Sequence, residues 1–110
     1  MDIEKLKRVR LEQDGLSKTL GMDFISTPEP DTCMARMKVG RHNRQVFGFL
    51  SGGATLALAE NLAGIGSMAL SPGKICLGIN VTGNHMKAVL EGDTVTAYGR
   101  CIHKGRTLHL

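Results

Sequence analysis

The chain has 110 residues, 42% of them apolar and 22% charged, with a formal net charge of +4. That length supports one modest core, so a single domain over residues 1–110 is expected. Charge begins at the second residue of Met1-Asp2-Ile3-Glu4-Lys5-Leu6-Lys7, which excludes the apolar stretch of a secretory signal. The three cysteines, Cys33, Cys76 and Cys101, are odd in number and widely spaced; this argues against a disulfide framework and fits reduced thiols in a cytoplasmic protein.

In chain order, residues 2–13 are predicted to form a short polar helix. Asp2 is its N-cap, Ile3, Leu6 and Val9 share a face, and Gly15 ends it. Lys5, Lys7, Arg8 and Arg10 give that helix a basic, solvated side. A first strand follows over residues 21–26, closed by Pro28-Glu29-Pro30-Asp31. Residues 32–39 alternate around Cys33, Ala35, Met37 and Val39, which predicts a half-buried second strand. A polar loop then leads through Gln45-Val46-Phe47-Gly48 into a long apolar helix from Gly52 to Leu70, stopped by Ser71-Pro72-Gly73. Further strands are expected over residues 75–81 and 94–103, with a tight turn at Glu91-Gly92-Asp93 between them.

The run from Phe47 to Leu70 is long enough to raise a membrane span, but five glycines, a Glu and an Asn argue against one. A helix apolar nearly all round is a buried one, and a curved antiparallel sheet wrapped around it would bury it. Glu60 is the only charged residue between Arg44 and Lys74. A carboxylate is costly to bury unless it is paired or protonated, so its presence points to chemistry rather than stability.

Gln45-Val46-Phe47-Gly48-Phe49-Leu50-Ser51-Gly52-Gly53-Ala54, followed by Leu58-Ala59-Glu60, resembles a known pattern. It is similar to the hotdog-fold acyl-CoA thioesterases of the phenylacetate-degradation branch, which include the 4-hydroxybenzoyl-CoA and 1,4-dihydroxy-2-naphthoyl-CoA thioesterases. The likeness continues through Gly78-Ile79-Asn80-Val81-Thr82-Gly83-Asn84-His85, Glu91-Gly92 and His103-Lys104-Gly105-Arg106-Thr107. It implies an α+β hotdog fold, with the long helix inside the sheet, and hydrolysis of an acyl-CoA, most naturally an aryl-CoA. By that resemblance Glu60 is the catalytic carboxylate, as nucleophile or as base. The Gly52 backbone N–H polarises the thioester carbonyl and Gln45 assists there. Asn84 and His85 line the acyl pocket, while Lys104, Arg106 and Thr107 meet the phosphates of CoA. No metal and no resident cofactor are implied, CoA being part of the substrate.

One distance bears on assembly. Gly52 and Glu60 lie eight residues apart, about 12 Å along a helix. A reacting carbon must stand within roughly 3 Å of both an oxyanion donor and the nucleophile. Glu60 of one subunit is therefore expected to face Gly52 and Gln45 of another. The resemblance implies the same shared site, in a homodimer that pairs further into a homotetramer.

The chain departs from the pattern at several positions. Val46 replaces a usual Pro. Ser51 stands where many relatives carry His, though its hydroxyl remains a possible donor. Gly64 stands where relatives often carry Ser or Thr. The sequence also stops before the family's last strands, so a sheet lacking them is expected to expose an edge. A CoA-ester binding or sensing module without turnover is the alternative reading. A nucleic-acid partner is not expected, since a basic helix with almost no aromatic residues offers bases nothing to stack on. Cys101-x-His103 with His42, His85 and His109 matches no zinc spacing.

Overall fold

The structure is a computed structural model of the whole chain; it describes every residue except Glu12, and only the backbone of Arg10 and Leu11. The start of the chain is less regular than its periodicity predicts. Helix α1 covers only Glu4–Leu6 and runs into a π-helical turn, Lys7–Leu11. The N-cap position falls on Ile3 rather than on Asp2, because the helix starts later than expected; Asp2 still takes up a first-turn donor, its Oδ1 accepting the Glu4 N–H at 2.9 Å. Ile3 is buried and Leu6 packs against the core, but Val9 is exposed, so the expected stripe breaks where the helix changes pitch. Glu12 and the Arg10 side chain, both part of that expectation, lie outside the described residues. A second short helix, α2 (Leu16–Leu20), was not expected; it closes on Gly21 in the left-handed region.

Three strands form one antiparallel sheet in the order β1 (Met22–Ile25), β2 (Thr32–Lys38) and β3 (Thr94–Arg100). The alternation read from residues 32–39 is realised, with Cys33, Ala35 and Met37 all buried on one face. Helix α3 (Gly52–Leu70) lies on that face and presents Ala54, Leu58, Leu62 and Ile65, a stripe at helical spacing. Truncating Leu58 to Ala would cost about 2–5 kcal/mol at such a site. The helix bounds are those predicted, but the burial is not: Gly53, Ala59, Glu60 and Ala63 are exposed, because the sheet covers only one side of α3.

The segment after α3 departs most from expectation. Residues 75–81 were predicted to be a strand, yet they pair with nothing. From Ile75 to Ala88 no backbone N–H donates a hydrogen bond among the described residues. Leu77 and Ile79 stand 83% and 81% exposed on this open stretch. The composition of a strand is present, but no neighbouring strand lies beside it. The last strand likewise ends at Arg100 rather than His103. Beyond it the chain folds back on itself, with the Ile102 N–H on the Leu110 carbonyl at 2.8 Å and the Gly105 N–H on the Leu108 carbonyl at 2.8 Å.

Candidate active site

Asn43, which the sequence places in an unremarked polar loop, is buried and fixes the approach to α3. Its Nδ2 donates to the Leu20 and Lys38 carbonyls, each at 2.9 Å, and its Oδ1 accepts the Gly40 N–H at 2.9 Å. No sequence signal separates it from the other polar residues of that loop. Arg44, beside it, reaches Glu91 through Nη1 and Oε2 at 2.7 Å, and the Glu91 N–H donates to the Gly48 carbonyl at 3.1 Å. The loop that carries Gln45 is thus fastened to the turn before β3.

Gln45 is oriented by its own loop. Its side-chain oxygen accepts the Phe47 N–H at 2.5 Å and the Phe49 N–H at 3.4 Å. Only the oxygen of that amide can accept, so the NH₂ end is left to donate. Gly48, at φ 88°, makes the reversal that brings its N–H to the Gln45 carbonyl.

Helix α3 then begins without a side-chain cap. Ser51 occupies the N-cap position with extended backbone, and its hydroxyl makes no capping bond. The first N–H groups of the helix, Gly52 foremost, therefore face outward with the positive end of the helix dipole. Against them lies the ring of His85: a Cβ placed on Gly52 would stand 3.1 Å from His85 Nε2. At the other end of the arrangement, Glu60 projects from α3 and its carboxylate rests on the backbone of Gly78; a Cβ there would meet Glu60 Cδ at 3.0 Å. The Glu60 carboxylate makes no hydrogen bond or ion pair among the described residues.

The remaining candidates divide. Arg106 and Thr107 line an open cleft of about 420 Å³ between the end of α3 and the unpaired segment, and this cleft reaches Gly78 and so the side of Glu60. Lys74 lines the same cleft and was not singled out from the sequence, where it reads only as the end of an uncharged run. Lys104 is exposed and lies outside that lining, on the turn it forms with His109. Asn84 is exposed beside His85. Within one protomer, then, Gln45, Ser51, Gly52 and His85 gather at one end of α3, and Glu60 with the basic cleft lies further along it.

Cys33 lies in the core, away from this site. Burial pushes the Cys33 thiol up from its ordinary pKa, with the Met1 ammonium and a hydrogen bond to the Gly99 backbone acting the other way. Such a thiol is a poor nucleophile. Among the described residues no three His, Cys, Asp or Glu side chains are grouped to hold a metal ion, and no helix is long and apolar enough to cross a membrane.

An uncapped helix start, an oriented amide donor and a free carboxylate on one helix invite comparison with known proteins, and the comparison is decisive for ancestry. Residues 47–109, more than half of the chain, match the Thioesterase superfamily. The chain belongs to that superfamily. It is 33% identical over 94 residues to the 1,4-dihydroxy-2-naphthoyl-CoA hydrolase of Listeria monocytogenes, covering 84% of this chain and 75% of that protein. Crystal structures agree. A mutant of thioesterase PA1618 from Pseudomonas aeruginosa superposes with a TM-score of 0.85 at 32% identity, over 99% of this chain and 77% of that one. Thioesterase HI1161 of Haemophilus influenzae gives 0.82 at 31% identity, over 96% and 72%. The α+β hotdog fold and thioester hydrolysis as the chemical class follow from this membership.

Proposed function

We propose that this thioesterase hydrolyses an acyl-CoA, with an aryl-CoA as the preferred substrate. The observation that carries the reading is the pairing of an uncapped α3 N-terminus at Gly52 with an exposed, unpartnered Glu60 on the same otherwise uncharged helix. Thioester hydrolysis builds negative charge on the carbonyl oxygen, and donors aimed at that oxygen lower the barrier. The Gly52 N–H and the Gln45 NH₂ are those donors, with the free Ser51 hydroxyl beside them.

Glu60 supplies the attack in one of two ways. Its carboxylate oxygen adds to the carbonyl carbon, or it takes a proton from a water that adds instead. In both routes the carbon–sulfur bond breaks and the CoA thiolate leaves and is protonated. By the first the acyl group remains on Glu60 as an anhydride, which a water then cleaves to release the acid and restore the carboxylate. By the second the water oxygen is already on the acyl carbon and the acid leaves directly. Arg106 and Thr107 in the cleft, joined by Lys104, hold the phosphates of CoA, while Asn84 and His85 border the acyl group. No resident cofactor is needed. The aryl preference is supported by the name of the Listeria relative.

The helix spans about 12 Å between Gly52 and Glu60, too far for one chain to bring both to a single carbon. The working site therefore pairs Glu60 of one protomer with Gln45 and Gly52 of a second, in a homodimer that can pair again as a homotetramer. The unpaired segment with Leu77 and Ile79 exposed supports such an assembly, since apolar backbone with open N–H and C=O groups invites a neighbouring chain. Single domain organisation over residues 1–110 and a reduced cytoplasmic setting for the three free thiols belong to the same reading.

Free-thiol release from a panel of aryl- and alkyl-CoA esters, with Glu60→Ala beside the unaltered protein, tests it. Turnover of aryl esters that falls about 10³-fold or more in the variant is expected for loss of a group acting in the transition state. Undiminished turnover in Glu60→Ala would sink the mechanism. CoA esters bound without turnover by the unaltered protein would favour the sensing module, for which the open space at Gly64, one turn beyond Glu60, speaks.

A further inference from the structure

We propose that Gly78 is a positioning residue for Glu60, its bare backbone fixing where the catalytic carboxylate stands. The inference rests on the reading of Glu60 given above. Four glycines of the chain, Gly21, Gly48, Gly73 and Gly92, adopt positive φ; Gly78 does not, so its backbone conformation would accept any residue. Nor does core packing demand a small residue, because Gly78 is exposed. What a side chain there would meet is Glu60 and nothing nearer: Cδ at 3.0 Å, Cγ at 3.1 Å and Oε1 at 3.2 Å from the added Cβ.

Most carboxylates in a protein site are oriented by hydrogen bonds. Glu60 has none among the described residues, and no ion pair. Its arm is bounded instead by the chain that passes over it. That chain touches α3 at two further points: Gly83 against the end of Leu56, and the His85 ring against Gly52. Running opposite to the helix, the segment thus borders the nucleophile at Gly78 and the carbonyl-binding end at His85. One stretch of backbone, held by no ladder, spans both halves of the chemistry that a single protomer contributes.

The two glycine contacts differ in kind, which makes the proposal testable. An added methyl at Gly83 crowds only Leu56 Cδ2, the far end of a flexible apolar side chain. An added methyl at Gly78 crowds the reacting group itself. Because Glu60 is exposed and its arm is flexible, it can swing away at little cost to the fold. The displacement is then felt in the reaction rather than in stability, since misplacing a reacting group by about 1 Å costs roughly 100-fold in rate.

The experiment compares Gly78→Ala, Gly78→Val and Gly83→Ala with the unaltered protein and Glu60→Ala. It reads kcat and KM for an aryl-CoA together with the thermal midpoint. Gly78→Ala is expected to lower kcat about tenfold, and Gly78→Val further, with KM changed by no more than about twofold. The thermal midpoints should stay together, and Gly83→Ala should keep kcat within about twofold of the unaltered protein. Unchanged kcat in Gly78→Ala, with Glu60→Ala inactive, would overturn the positioning role and leave the mechanism standing. An equal loss in Gly83→Ala, or a fall in kcat that tracks the thermal midpoint, would reduce Gly78 to a structural role and also overturn it. Full turnover in Glu60→Ala would instead remove the reading on which the proposal rests.

Discussion

The Ser51 N–H donates to the Asn43 backbone carbonyl at 2.9 Å, so the residue before α3 hangs from the backbone of the residue whose side chain is the one buried polar group of the described core. Asn43 also joins the ends of α2 and β2 through the Leu20 and Lys38 carbonyls. The start of α3, where the carbonyl of a substrate is to be held, is therefore as rigid as that single residue makes it. Asn43→Ala should cost about 2–3 kcal/mol, because it leaves buried backbone groups without partners. Asn43→Asp keeps the acceptor for Gly40 but sets a carboxylate against two carbonyls, and should be at least as destabilised. Urea unfolding midpoints check both.

Cys33 and Gly99 face each other across β2 and β3, and a Cβ on Gly99 would lie only 2.7 Å from Cys33 Sγ. Gly99→Ala overpacks that point and should destabilise the fold by about 1–3 kcal/mol. Cys33→Ala makes room, so the double variant should recover part of the loss. A double-mutant cycle in urea, giving additive losses, would refute the contact.

The buried Cys33 thiol also predicts a pH dependence. Its folded pKa is raised above the ordinary value of 9.0, so the protonated form is favoured in the folded state. Its contribution to stability is fully present below about pH 9 and is lost as pH rises through the higher folded pKa. Stability should fall less steeply on the alkaline side in Cys33→Ala than in the unaltered protein. Thermal midpoints measured from pH 8 upward will show this, and parallel curves would contradict it.

Gly64 follows Glu60 by one helical turn, and a Cβ built on it meets nothing within 4 Å. Gly64→Ser therefore fits without strain. It should stabilise α3 by about 0.5 kcal/mol through the higher helix propensity of Ser. Its hydroxyl would stand beside Glu60, where it can orient the carboxylate or the attacking water. A rise in kcat of a few-fold is expected from such a hydrogen bond; thiol-release kinetics at saturating ester would reveal it.

The elements that follow from local pattern were legible in the sequence. The alternation of Cys33, Ala35 and Met37 located β2, and the small apolar run closed by Ser71-Pro72-Gly73 located α3 to its ends. Glu60 stood out because charge is absent around it. What escaped reading depends on neighbours distant in the chain. Ile75 to Val81 has the side chains of a strand, but a ladder needs a second strand, and no local pattern reports whether one is present. The burial of Asn43 and the contacts of Gly78 with Glu60 and of His85 with Gly52 are meetings of backbone with side chain across the fold. Glycine records such a meeting only as the absence of a side chain, and that absence looks the same whether a turn, a core or a carboxylate requires it.

The bare amides from Ile75 to His85 make the segment its own reporter. Backbone N–H groups without acceptors exchange with deuterium as fast as those of an unfolded chain, whereas laddered ones exchange only on opening. In a lone protomer this stretch should therefore label within the shortest pulse, while β2, paired on both sides, stays protected. Any strand that comes to lie along it will write its register into the alternation of slow and fast amides, residue by residue, with no substrate present and no turnover required.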